Sequence, residues 1–160
     1  MRVLLDTNIV LDVLLARAPH AESAVRMLAA VESGLVTGVI SATSVTTVLY
    51  LATKAVGARR AKGHVRTILS LCEVAPVTDV VLTHALDLRL SDFEDAVIHE
   101  AARGSRCDGI VTRDARGFKG AALPIYSPTE LLAVVQTRSL TGQRVAKQSG
   151  EGAAQQPTTA

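Results

Sequence analysis

The sequence predicts a three-layer α/β/α domain built on a central, mainly parallel sheet of four to five short strands. Short apolar runs at V-L-L (3–5), L-V-T-G-V-I (35–40) and G-I-V (109–111) have the composition of strands buried on both faces. Between them lie segments whose apolar residues recur at helical spacing. Strand and helix segments alternate along the chain. That alternation requires crossovers, which are right-handed and cover both faces of a parallel sheet with helices.

The elements follow in order. After Val3-Leu4-Leu5 the polar triplet Asp6-Thr7-Asn8 marks a strand end and a helix start. The first helix is expected from Thr7 to Ala16, stopped by Arg17-Ala18-Pro19, and a second from Ala21 to Ser33-Gly34. Leu35–Ile40 is the second strand. Ser41–Ser44 leads into a third helix despite its β-branched content, because Val45, Val48, Leu49 and Ala52 share one face. Arg59–Leu71 is an amphipathic helix with Arg59, Arg60, Lys62 and Arg66 turned outward, where a solvated face is the plain reading. Val74–Val77 reads as a strand and Asp79–Leu88 as a helix. In S-D-F-E-D-A, Ser91 and Glu94 have the spacing of a capping box opening the helix that ends at Gly104. Gly109–Val111 precedes Thr112-Arg113-Asp114, then a Gly-rich loop over Arg116–Ala121 and a short strand Pro124–Tyr126. Ser127 caps a last helix through Val135, with Pro128 in its first turn. From about Thr137 the chain loses periodicity and is rich in Gln, Ser, Gly, Thr and Ala, the composition of a disordered tail.

Composition narrows the function. A chain of 160 residues is long enough for one domain with a substantial core, and 48% hydrophobic content excludes wholesale disorder. Aromatic residues are only 2%, which argues against base stacking as the main mode of binding. A net charge of +2 is compatible with an anionic partner. Cys72 and Cys107 lack metal-binding spacing and read as buried thiols of a reducing compartment. No apolar run reaches membrane-spanning length, and Asp6, Asn8 and Asp12 interrupt the N-terminal apolar stretch, so a cytoplasmic protein with no membrane partner is expected. His20, His64, His84 and His99 are scattered and read as surface or packing residues.

Asp6 follows the first strand, Asp114 follows the Gly109–Val111 strand, and Asp92 and Asp95 open one helix. In an open parallel sheet the carboxyl ends of the strands form the edge where ligands bind. Carboxylates gathered there repel one another, and a hard divalent cation removes that penalty; all-oxygen ligation suits Mg²⁺ or Mn²⁺. Such a site is equipped for phosphodiester hydrolysis. Thr7, Asn8 and Thr112 would orient the carboxylates, while Arg113 and Arg116 would grip phosphates. Each has a bland counterpart. Asp6 read alone serves equally as a helix cap, Asp12 as a solvent-facing residue, and Asp92 and Glu94 as charges complementing a helix dipole. Phe118 reads as packing beneath the site loop.

The segments L-L-D-T-N-I-V-L-D, D-F-E-D-A, I-V-T-R-D-A-R-G-F and L-P-I-Y-S-P-T-E-L, in that order, resemble the PIN domain over about Arg2 to Val135. That family includes metal-dependent ribonucleases and the toxins of VapC-type toxin–antitoxin pairs. The resemblance implies a PIN-like domain over 1–136, followed by the tail at 137–160. It implies Asp6, Asp95 and Asp114 as catalytic metal ligands, with Asn8 and Thr112 in support, an RNA substrate, an antitoxin partner and a homodimer through the third and fourth helices. Many PIN nucleases also carry a glutamate three residues before a tyrosine in the third helix. Judged by Tyr50, Thr47 stands there, as in a D-F-E-D subgroup of PIN-like proteins. Asp12, Asp92 or Glu94 would have to supply the missing charge. The expected function is therefore a divalent-metal-dependent endoribonuclease, with the toxin of a type II pair as one form it can take. The alternative is a weak or inactive PIN-like module that binds RNA or protein. A haloacid-dehalogenase-like phosphatase would want a second aspartate where Asn8 stands.

Overall fold

A computed structural model describes residues 1–138. Five strands form one all-parallel sheet in the order β3-β2-β1-β4-β5: β1 (Arg2–Leu5), β2 (Thr37–Ser41), β3 (Glu73–Ala75), β4 (Gly109–Val111) and β5 (Ile125–Tyr126). The helices are α1 (Thr7–Leu14), α2 (Ala21–Glu32), α3 (Ala42–Val56), α4 (Ala58–Leu71), α5 (Asp79–Asp87) and α6 (Phe93–Gly104). A seventh, α7, covers residues 128–138. The three-layer α/β/α expectation is met, with the sheet wholly parallel.

Side chains alternate across each strand, so the sheet feeds two cores. Val3, Leu5, Ile40 and Val111 pack with α1 to α4 and with Leu131, Leu132 and Val135 of α7. Leu4, Val39 and Ile110 point the other way, against Val81 and Ala85 of α5, the inner face of α6 and Phe118. Burial on both faces explains why the strands read as continuous apolar runs.

Local chemistry sets the element boundaries. The β-branched segment 42–56 is helical because Ser44, Val48 and Ala52, four residues apart, bury one stripe. Gly57, at φ 84°, lets the chain leave α3 and enter α4 directly. Ser127 closes a reciprocal capping box on α7: its hydroxyl accepts from Glu130 N–H at 3.2 Å and its own N–H donates to Glu130 Oε2 at 2.7 Å. The box expected at Ser91 is not formed. Asp92 is the N-cap of α6, its Oδ1 accepting from Glu94 N–H at 2.7 Å, because a carboxylate one residue nearer satisfies that donor first. The first helix also ends earlier than expected, at Leu14, with Ala16 at φ 47° turning the chain. Thr137 and Arg138 are still helical; the rest of the expected tail lies outside the described residues. Among the described residues no helix is long and apolar enough to cross a membrane. Both cysteines are free and buried, and burial pushes each thiol up to about 11.

Candidate active site

Strand order reverses at the centre of the sheet, where β1 is flanked by β2 on one side and β4 on the other. Asp6 and Thr112 follow directly from β1 and β4 at this switch point, and the Asp6 N–H donates to Val111 C=O at 2.9 Å. Asp6 is the N-cap residue of α1, yet its side chain makes no capping bond. Its Oδ2 instead accepts from Asn8 Nδ2 at 2.6 Å and from the Thr112 hydroxyl at 2.7 Å. Asn8 Nδ2 also reaches Thr112 Oγ1 at 3.1 Å, and Thr112 Oγ1 accepts from the Asp114 N–H at 3.0 Å. Thr7 donates to Ser44 Oγ at 2.9 Å, joining α1 to α3. The Asp6 carboxylate thus leaves the α1 cap unmade and turns to Asn8 and Thr112 across the strand ends.

Asp6, Glu94, Asp95 and Asp114 line one cleft of about 270 Å³, together with Thr7, Asn8, Arg17 and Thr47. The three aspartates expected to converge do so. Burial raises the Asp6 carboxyl above the usual range, against the opposing hydrogen bonds from Thr112 and the Thr7 and Asn8 backbone. Asp95 is pushed up to about 6, first by burial and then by the charges of Asp6, Asp92, Glu94 and Asp114. Its side chain has no hydrogen-bond partner among the described residues. Gly117 lies against it: a Cβ there would meet the Asp95 carboxylate, which would have to swing aside to admit another residue. That loop is held from beneath by buried Phe118 and by His99, whose Nε2 accepts from Ala122 N–H (3.1 Å) and Leu123 N–H (3.4 Å). With Nε2 accepting, the His99 proton sits on Nδ1 and is donated to Glu100 at 2.9 Å.

The other candidates divide. Glu94 stands where the sequence leaves a gap, its Oε1 3.5 Å from the Thr47 hydroxyl. Asp92 is committed to capping α6 and does not line the cleft, although its charge acts on Asp95. Asp12 does not face solvent. It is fully buried, and Arg113 Nη1 contacts both of its oxygens at 3.0 and 3.2 Å in a separate cleft beside Pro128. Arg113, expected to grip phosphate, is brought to Asp12 rather than to the three aspartates, though its backbone N–H donates to Asn8 Oδ1 at 3.4 Å. Arg116 is almost fully exposed, 3.6 Å from Asp114. Arg17 was missed. It lines the acidic cleft and has no side-chain ion pair or hydrogen bond among the described residues. Its sequence signal was a helix stop, which says nothing about where the turned chain points.

Donor chemistry at the cleft fits a hard divalent cation: every candidate ligand is oxygen, and negative charge accumulates faster than hydrogen bonds offset it. Among the described residues no three Asp, Glu, His or Cys side chains stand together as a metal cage.

Comparison with known proteins agrees with this architecture. A family model described as PIN domain matches residues 2–116. The fold is similar to VapBC2 of Rickettsia felis, solved bound to a promoter DNA fragment (TM-score 0.63, 19% identity, 79% of this chain and 98% of that one). It is similar to the sarcin–ricin loop cleaving toxin VapC20 of Mycobacterium tuberculosis (TM-score 0.62, 18% identity, 76% and 96%). It also resembles a toxin–antitoxin complex from Klebsiella pneumoniae (TM-score 0.60, 25% identity, 79% and 97%). No curated protein sequence matches the chain. With the family model spanning most of the described residues, and the acidic residues at the carboxyl edge of its parallel sheet, the chain belongs to the PIN domain family.

Proposed function

We propose that the protein is a divalent-metal-dependent endoribonuclease acting as the toxin of a toxin–antitoxin pair. The observation that carries this reading is the meeting of Asp6, Glu94, Asp95 and Asp114 in one cleft at the topological switch point. Asp6, Asp95 and Asp114 would hold Mg²⁺ or Mn²⁺, with Glu94 as the charge that replaces the glutamate lost at position 47. A divalent ion held by these residues would supply an activated water and offset charge on the phosphate. Asn8 and Thr112 keep the Asp6 carboxylate pointed into the cleft, so that its orientation costs nothing when substrate arrives. Arg17 lines that cleft without a side-chain partner among the described residues and would meet a non-bridging phosphate oxygen, offsetting charge as it develops. The toxin assignment is supported by the toxin–antitoxin complexes among the structural neighbours. A homodimer through α3 and α4 is supported by the exposed Tyr50 and Leu69 on those helices.

The test is Asp6→Asn, assayed for Mn²⁺-dependent RNA cleavage beside the parent chain. Cleavage should fall on the order of a thousandfold while the folded structure is retained; equal activity overturns the proposal. A second reading, a PIN-like module that binds without cutting, draws on Thr47 and on the absence of a ready carboxylate cage among the described residues. Calorimetric titration separates the two, since the module need give no Mn²⁺ heat.

A further inference from the structure

The acidic cleft has a cationic neighbour. A second cleft of about 360 Å³ is lined by Arg89, Leu90, Ser91, Arg116 and Lys119. The segments that line the two adjoin each other along the chain. Residues 89–91 run directly into the α6 N-cap Asp92, two and three residues before Glu94 and Asp95, and Arg116 lies two residues after Asp114. Arg116 Nε is 3.6 Å from Asp114 Oδ1, so one loop presents a carboxylate to one cleft and a guanidinium to the other. Arg89, Arg116 and Lys119 are all exposed, and the side chains of Arg89 and Lys119 make no ion pair among the described residues. Cations left unpaired beside a crowded acidic site are available to an anion that spans both.

We infer that this second cleft binds the phosphate backbone of single-stranded RNA next to the bond that is cut. The inference rests on the nuclease reading above and extends it to the path of the substrate. A strand whose scissile phosphate is drawn to the acidic cleft lays neighbouring phosphates on the surface beside it, and the surface carrying Arg89, Arg116 and Lys119 is cationic. Leu90 gives the same cleft an apolar surface against which a sugar or base edge can rest. Contacts of this kind hold register without reading sequence, and each releases counterions, so their signature is a salt dependence.

The experiment measures binding of a fluorescently labelled single-stranded RNA of about a dozen nucleotides by anisotropy, in EDTA so that nothing is cut, across a salt series. The full chain is compared with Arg89→Gln/Lys119→Gln and with Arg60→Gln/Lys62→Gln, which removes the same charge from the distant exposed face of α4. The first double variant should bind about tenfold more weakly at low salt, and its slope of log affinity against log salt should fall by about 1.4, two single-strand phosphate contacts. The α4 variant should match the parent. Equal losses in both variants, or none in either, overturn the inference. So does unchanged RNA binding with loss of a co-purifying antitoxin, which would make the cleft a protein-docking surface. Mn²⁺-dependent cleavage by the parent is measured in parallel. If it persists while the first variant binds RNA normally, only this inference falls; if the parent neither binds nor cuts, the nuclease reading falls and takes the inference with it.

Discussion

Asp6 and Asp12 lie at the start of α1 and two turns along it, both buried, and they have opposite fates. Asp12 is matched by Arg113, which contacts both carboxylate oxygens, so its charge is neutralised within the fold. Asp6 has only neutral donors, Asn8 and Thr112, and three further carboxylates around its cleft. A buried acid with a basic partner is part of the framework. Acids gathered without a basic partner keep their charge open to the cleft, and that imbalance, more than the number of acidic residues, sets this region apart from a salt bridge.

The sharpest way to break this contrast is to remove the partner. Arg113→Ala leaves Asp12 buried and uncompensated and should destabilise the fold by about 3–5 kcal/mol, read as a lower urea midpoint. Mn²⁺ affinity measured below that midpoint should not change. A gain in metal affinity would instead make Asp12 a ligand held in check by Arg113.

Glu94 tests the other side of the contrast. Glu94→Gln keeps size and removes charge from an exposed residue, so stability should be nearly unchanged while Mn²⁺ binds about tenfold more weakly in a calorimetric titration. An unaltered affinity would return Glu94 to its plain role of complementing the α6 dipole.

The smallest effect is on stability against pH. The Asp95 carboxyl, ordinarily at 3.8, stands at about 6 in the fold, so between these values the folded chain holds a proton that the unfolded chain has lost. This stabilisation is fully present below pH 3.8 and is lost as pH rises through about 6. Without metal the melting temperature should drop by a few degrees between pH 4.5 and 7, and Mn²⁺ at pH 7 should restore it. A metal-free melting temperature that rises over this interval contradicts the crowding at Asp95.

Much of this architecture was legible beforehand. Strands buried on both faces leave unbroken apolar runs, and β1 and β4 announced themselves that way. The polar residues following those strands, Asp6 and Thr112 to Asp114, could be placed on one edge because parallel topology leaves them no other. The start of α6 was harder, since Ser91 and Asp92 are both good caps and only the geometry of the turn selects between them. Arg17 escaped notice as a site residue, and Glu94 could not be told apart from Asp12 and Asp92 as the extra charge, for a different reason. Their positions in the cleft depend on how a turn folds back and on which face of α6 meets α3.

Residue order and hydropathy alone determined the parallel α/β/α layering, the helix stripes and the edge of the sheet where the acidic residues would collect, because these follow from periodicity and chirality local to each segment. The tertiary structure decided which charges neutralise one another. Arg113 closes on Asp12, 101 residues away, while Glu94 reaches across to Thr47, 47 residues away. Such pairings depend on distances between side chains on separate elements, and those distances exist only once the layers have packed.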